Sequence, residues 1–313
     1  CLLGFLGWLR SGALAQWTSR NFAVRLPLMA LLFGGVTSIV AGVTSVQPGL
    51  ENRRNFYGIL RVSERTDRNG RLRQLTHGRI QHGFEYLDDA KRDRPTSYYG
   101  PSSGVAVALE ALSEPRRVAI VGLGAGTLAA WGRPGDTFRF YEINPAVEAI
   151  ARKWFFFLKD SKAQTEVVLG DARVQLEREL AGGRSHDFDL IAVDAFSSDA
   201  IPIHLLTAEC GDLYRQRLAP DGILALHISN RSLDLEPVAR GLAQHLGWKA
   251  RMVIGLFDSN TGESNSRWVV LAQKAETLEK YRIHETLVGL SGARRSDITW
   301  TDDFASLWHV LRL

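Results

Sequence analysis

Arg117-Val118-Ala119-Ile120-Val121-Gly122-Leu123-Gly124-Ala125-Gly126 is the stretch on which the rest of the chain hangs. Val118 to Val121 is a short apolar run, the pattern of a strand buried on both faces. It leads straight into glycines spaced G-x-G-x-G, where the absence of a Cβ lets the backbone turn sharply and approach a ligand closely. Thr127 to Trp131 then reads as the start of a helix, whose free N–H groups would point at that ligand. Glycine-rich turns also close ordinary strand–helix corners, so the pattern needs support from neighbouring segments.

A second strand, Thr137 to Tyr141, supplies it by ending in Glu142, sixteen positions after Gly126. An acid at the tip of the second strand is where a nucleotide-binding α/β fold holds ribose hydroxyls. The final G-x-x-G step of the dinucleotide fingerprint is missing. A nucleoside without a pyrophosphate fits better, and S-adenosylmethionine is the commonest of these.

Downstream, strands alternate with helices. The spacing predicts a helix from Asn144-Pro145 to about Lys159, a strand at 165–169, and a helix from Gly170-Asp171-Ala172 to about Ala181. After these come a strand at 188–193 ending at Asp194, a helix at 207–218, a strand at 223–228, a helix at 235–246, and strands at 249–255 and 267–272. Such alternation gives an α/β fold, a doubly wound, mostly parallel Rossmann-like sheet of seven strands of the class I methyltransferase type. The tail from Ala275 is expected to be helical at first and then irregular.

Ahead of it, Phe56–Val62, Arg71–Thr76 and Ile80–Tyr86 read as short strands, with Asp67-Arg68-Asn69-Gly70 as a turn. They form a small antiparallel unit. Its Leu75–Gly83 segment is rich in polar groups able to hold a ligand, although His77 and His82 read equally well as exposed turn residues. Pro95–Ser103 is a loop ending in a helix N-cap. Further upstream, the charge-free run from Leu26 to Leu50 has an apolar heart at 26–46, about the 20 residues that cross a bilayer. The expected domains are 1–50 as a membrane segment, 51–95 as the small β domain and 96–313 as the catalytic domain. The first residue is Cys, so 26–46 is expected to be the last span of a longer membrane protein. The basic excess in 51–79 places the catalytic domain on the cytoplasmic side.

The 313 residues carry a net charge of +4, with +7 in residues 1–100 and −3 in residues 101–313. The slightly acidic catalytic part argues against nucleic acid, which needs a basic surface, and suits a small cationic amine. Two cysteines, Cys1 and Cys210, exclude a disulfide scaffold and a thiolate zinc site, and no motif calls for a metal. A homo-oligomer is open.

Ligands of open α/β sheets lie beyond the carboxyl ends of the strands, and three acids fall there. Glu142 faces the ribose. Asp171 accepts from the adenine amino group while Ala172 leaves room for the ring, and a plain N-cap role is compatible with that. Asp194 is nearest the reacting end. A carboxylate in the loop Asp194–His204, which also contains Asp199, attracts an ammonium group and accepts the proton an amine must lose before it attacks a sulfonium carbon.

Leu75–Gln81, Tyr98-Tyr99-Gly100, Gly122–Gly126, Tyr141-Glu142, Gly170-Asp171-Ala172 and Asp194–Thr207 together resemble the spermidine synthase (polyamine aminopropyltransferase) family over about Asn55 to Gln273. Trp300-Thr301-Asp302-Asp303-Phe304 resembles its membrane-fused branch. The resemblance implies transfer of an aminopropyl group from decarboxylated S-adenosylmethionine to a polyamine. It implies nucleoside contacts from Gln81, Glu142 and Asp171, general-base work by Asp194, and an amine pocket lined by Tyr98, with His77 and Asp199 on the substrate side. The departures fall on the amine half. The family's aspartate in the glycine-rich loop is Ala125 here, His77 stands where an acid is expected, Gly100 replaces a glutamate, and Asp194 and Asp199 are spaced more widely than the family's loop acids. These losses should weaken recognition of a diamine and of the decarboxylated donor. A methyltransferase using S-adenosylmethionine itself, or a non-catalytic nucleoside or polyamine sensor, is the alternative.

Overall fold

The computed structural model describes residues 49–183, 188–195, 202–279, 287–288 and 296–312. The expected membrane span at 26–46 and Asp199 lie outside them. Among the described residues no helix is long and apolar enough to cross a membrane.

The small antiparallel sheet contains β1 (Glu51–Asn55), β2 (Gly58–Asp67), β3 (Gly70–His77) and β4 (Ile80–Tyr86), side by side in chain order. Asp67 pairs with Gly70 and His77 with Ile80, so β2–β3 and β3–β4 are joined by two-residue turns. At the first, Gly70 takes φ +127° and the Asp67 carboxylate accepts from the Asn69 N–H at 2.7 Å, which is the turn chemistry read from the sequence. Leu60, Val62, Leu72 and Leu75 are buried from this sheet.

The large sheet contains β5 (Arg117–Val121), β6 (Thr137–Glu142), β7 (Gln164–Leu169), β8 (Phe188–Val193), β9 (Leu218–His227), β10 (Lys249–Gly255), β11 (Ser266–Ala272) and β12 (Leu287–Val288). Their spatial order is β12-β10-β11-β9-β8-β5-β6-β7. From β7 to β9 all pairings are parallel, and β11 and β10 add antiparallel strands. This is the expected mostly parallel arrangement with an eighth, two-residue strand at the edge. Val118 and Ile120 face one apolar cluster, and Ala119 and Val121 the other. A strand covered on both sides has no polar face to alternate with, hence its unbroken apolar run.

Among the described residues, seven helices flank the large sheet: α1 (Gly104–Glu110), α2 (Pro145–Trp154), α3 (Phe157–Asp160), α4 (Ala172–Ala181), α5 (Ala208–Arg217), α6 (Glu236–Leu246) and α7 (Ala275–Leu278). The first cluster takes side chains from α1, α2, α3 and α7, and the second from α4, α5 and α6. Two expectations need correction. The helix from Pro145 breaks at Phe155, which is extended at φ −117°, ψ 152° and buried, so its continuation is the separate short α3. The helix after Gly126 is a 3₁₀ segment, Thr127–Trp131.

Trp300–Phe304 acts as a clasp on the second face. Trp300 is buried and its carbonyl accepts from the Ala208 N–H at 2.8 Å. Asp302 receives both Arg173 nitrogens at 2.6 Å and the Thr207 hydroxyl at 2.9 Å. On the other face, Arg116 and Asp136 form an ion pair with both side chains fully buried. Asp136 also accepts backbone N–H groups from Arg116 at 2.8 Å and Arg133 at 3.0 Å, and Arg116 donates to the carbonyls of Leu109 and Trp131. Removing one member strands a buried charge, so Asp136→Ala is expected to cost about 3–5 kcal/mol, measured as a lower urea midpoint.

Candidate active site

A cavity opens at the carboxyl ends of β5, β6 and β7, between them and the β3–β4 hairpin. Its lining includes Gly122, Gly124, Glu142, Asp171, Ala172, Asp194 and His77. The glycine-rich loop forms its base, and two of the glycines are required by contact. Gly122 has φ +101°, and a Cβ there would stand 2.4 Å from the Asp194 carbonyl oxygen; Gly124 has φ +56°, and a Cβ there would stand 2.7 Å from the carbonyl oxygen of His82. The loop is therefore pressed against β8 on one side and the hairpin on the other, with the Ala125 N–H bonded to the His82 carbonyl at 2.9 Å. Gly126 is not on the cavity wall; it is the left-handed residue that starts the 3₁₀ segment.

Glu142 is buried at the tip of β6. One carboxylate oxygen accepts from the Leu123 N–H at 3.0 Å and the other from the Asn144 N–H at 2.8 Å. Burial pushes its carboxyl up to about 7, against these backbone bonds. Asp171 caps α4, accepting from the Val174 N–H at 3.1 Å, and its second oxygen meets His204 Nε2 at 2.8 Å. The His204 hydrogen bond, set against burial, holds the Asp171 carboxyl below its usual value. The cap and the place on the wall coexist in this one residue.

Asp194 follows β8 with 5% of its side chain exposed. One oxygen accepts from the Tyr99 hydroxyl and the other meets His227 Nδ1 at 2.6 Å. Burial acts to raise this carboxyl, but the His227 ring and the hydrogen bonds from His227 and Tyr99 outweigh it and hold it below the usual aspartate value. Asp194 and His82 also line a second cavity, with Gln81, Tyr98, His227, Ser229, Asn230, Arg231 and Asn265. These two residues are shared by both cavities, and so form the wall between them.

The expected residues divide across that wall. Glu142, Asp171, Ala172 and His77 are on the first cavity and Tyr98 on the second. Gln81, expected at the nucleoside, lines the second cavity and not the first. His77 and His82 are not exposed turn residues. His77 is 6% exposed with Nε2 2.6 Å from the Tyr57 carbonyl. His82 has its Nε2 sealed from solvent without a hydrogen-bond partner, and burial holds its ring down to about 4. The departures have a steric side. Ala125 is buried, and a Cβ on Gly83 would lie 2.9 Å from its methyl group. Gly100 leaves space that Glu263 fills: a Cβ at 100 would be 2.0 Å from Glu263 Cγ, and the Glu263 carboxylate accepts from Ser102, away from both cavities.

His227 and Trp268 join the site although no sequence motif singles them out, and Tyr99, quoted above only as part of the Tyr98-Tyr99-Gly100 motif, joins it through its hydroxyl on Asp194. His227 ends β9, and Leu226 is the register partner of Val193, so His227 and Asp194 are neighbours across the sheet. The rule that points to strand ends finds it once histidine is considered beside the acids.

Comparison with known proteins bears on the fold and on part of the sequence. No family model matches the chain. The polyamine aminopropyltransferase of Vibrio vulnificus is 35% identical over 122 residues, 38% of this chain and 40% of that protein, so the chain matches less than half the length of this relative. The spermidine synthase of Thermotoga maritima superposes with a TM-score of 0.52 at 13% identity, covering 82% of this chain and 81% of that one. A probable spermidine synthase from Corynebacterium glutamicum gives 0.50 at 18% identity, covering 72% and 81%. The chain is similar to the spermidine synthase family in sequence over this stretch and in fold over most of its length.

Proposed function

We propose that the chain is a spermidine synthase-like aminopropyltransferase that moves an aminopropyl group from decarboxylated S-adenosylmethionine to a polyamine acceptor. The observation that carries this reading is Asp194 standing in the wall between two cavities. The donor's nucleoside belongs in the first, with Glu142 for the ribose hydroxyls and Asp171 and Ala172 at the adenine. The acceptor amine belongs in the second, beside Tyr98 and Gln81. The donor supplies a sulfonium-activated carbon. Asp194 draws the acceptor's ammonium to the wall and favours its deprotonation, and the two cavities hold nitrogen and carbon in line. Residues 51–95 are read as a β domain completing the site and 96–313 as the catalytic domain. Residues 26–46 are read as a membrane span with the catalytic domain on the cytoplasmic side.

A methyltransferase reading has one feature in its favour: Ala125 offers no carboxylate for the donor's amine. Calorimetry of the full chain with both donors separates the two. Tighter binding of the decarboxylated donor is expected; tighter binding of S-adenosylmethionine would remove the aminopropyl reading. Binding of both with no amine turned over would leave a sensor.

A further inference from the structure

Asp194 is not a lone base. Both its oxygens are engaged, by the Tyr99 hydroxyl and by His227 Nδ1. An ionised carboxylate at Nδ1 fixes the ring proton on that nitrogen, so Nε2 of the neutral ring is an acceptor. Nε2 lies 2.8 Å from Ser229 Oγ. That oxygen receives the Arg267 backbone N–H at 2.8 Å, which turns its own proton toward Nε2. The chain of bonds runs Arg267 N–H, Ser229 hydroxyl, His227, Asp194, and both Ser229 and His227 face the second cavity.

We propose that the proton lost by the acceptor amine is taken by His227, relayed across the Ser229 hydroxyl, with Asp194 as the positioning residue that holds the ring and stabilises its charged form. This rests on the aminopropyl-transfer reading. The acceptor's ammonium gives one proton to Ser229 Oγ as the Ser229 proton passes to Nε2, leaving a neutral amine and an imidazolium paired with Asp194. The amine lone pair then forms the carbon–nitrogen bond while the carbon–sulfur electron pair leaves with sulfur, which becomes a neutral thioether. The imidazolium later returns its proton to solvent through the second cavity.

Two observations support the ring as the acceptor. It is stacked between two aromatic faces, Tyr98 at 4.7 Å and 22° and Trp268 at 4.6 Å and 21°, and aromatic faces attract a cation. The groups facing His227 suit a neutral ring that charges transiently: Asp194 after β8, the neutral phenols of Tyr98 and Tyr99 before α1, and His82 on β4, which burial keeps uncharged. Arg231 is the cation lining the same cavity.

The test uses the full chain with decarboxylated donor and amine, rates being followed from about pH 5 to 9. His227→Gln keeps an N–H for Asp194 but offers no basic nitrogen. It is expected to lower kcat about 10²-fold or more, leave the KM for donor within about threefold, and abolish the acid limb of the kcat profile taken at saturating donor, where the Glu142 carboxyl no longer limits the rate through binding. Ser229→Ala leaves the ring and its stack in place, guarding against a misfolded first variant. It is expected to lower kcat at least about tenfold with donor affinity by calorimetry unchanged. Rates within about threefold of the parent in both variants, with the acid limb retained, would overturn His227 as the acceptor and leave the transfer reading standing. A parent chain that binds donor but transfers to no amine removes the transfer reading, and this inference with it.

Discussion

Asp194→Asn is expected to bind the nucleoside donor within about threefold of the parent and to lose turnover by about 10³–10⁴-fold. Two effects combine. The amide carries no charge to attract an ammonium group. It also presents either its oxygen or its nitrogen to His227 Nδ1, so the ring proton is no longer fixed there, and a histidine in the wrong tautomer cannot accept at Nε2. Donor affinity is expected to be spared because Glu142 and Asp171, the residues proposed for the ribose and the adenine, hold their geometry through backbone bonds that do not involve Asp194. Calorimetry with the donor and a rate assay on the same sample check both halves. Unchanged turnover would remove Asp194 from the mechanism.

Glu142→Gln is expected to weaken donor binding by about 2–3 kcal/mol, roughly 30–150-fold. Both Glu142 oxygens accept backbone N–H groups. The glutamine amide turns one of those bonds into a donor facing a donor and removes the charge proposed to receive ribose hydroxyls. A pH signature accompanies it. Burial raises the Glu142 carboxyl to about 7 in the folded chain, above an unfolded value near 4.3. The native state therefore binds this proton more tightly, and the group's stabilising contribution is fully present below the unfolded value and is lost as pH rises through about 7. Ribose hydroxyls donating to the ionised carboxylate favour the deprotonated form, so donor binding releases protons in that window and tightens as pH rises through it. Calorimetry in buffers of differing ionisation heat should find this release in the parent and not in Glu142→Gln; equal proton release in both would contradict the assignment.

The sheet is legible in the sequence because its strands are apolar on both faces and its turns carry the residues the turns demand. Val118–Val121 and Ile80–Tyr86 lie where the pattern places them. The break at Phe155 is not legible, because Phe155 and Phe157 are both buried and an apolar run is equally good for one helix or two. The three acids at strand ends follow from topology alone. Which group each acid meets in space does not. The bond from Asp171 to His204 joins residues 33 apart, and the sandwich of His227 between Tyr98 and Trp268 depends on how a loop before α1 folds over β9 and β11. Gln81 shows the same limit: facing alternates along a strand, and β3–β4 has a register shift between Gln74 and Thr76 that makes the wall a side chain reaches hard to read from spacing.

The most direct test of the central claim is mass spectrometry of the products when the full chain is incubated with decarboxylated S-adenosylmethionine and a set of polyamines. The expected product is an acceptor heavier by one aminopropyl unit, appearing in step with methylthioadenosine and absent with Asp194→Asn. An acceptor heavier by a methyl group when S-adenosylmethionine is supplied, with no aminopropylated product from the decarboxylated donor, would contradict it.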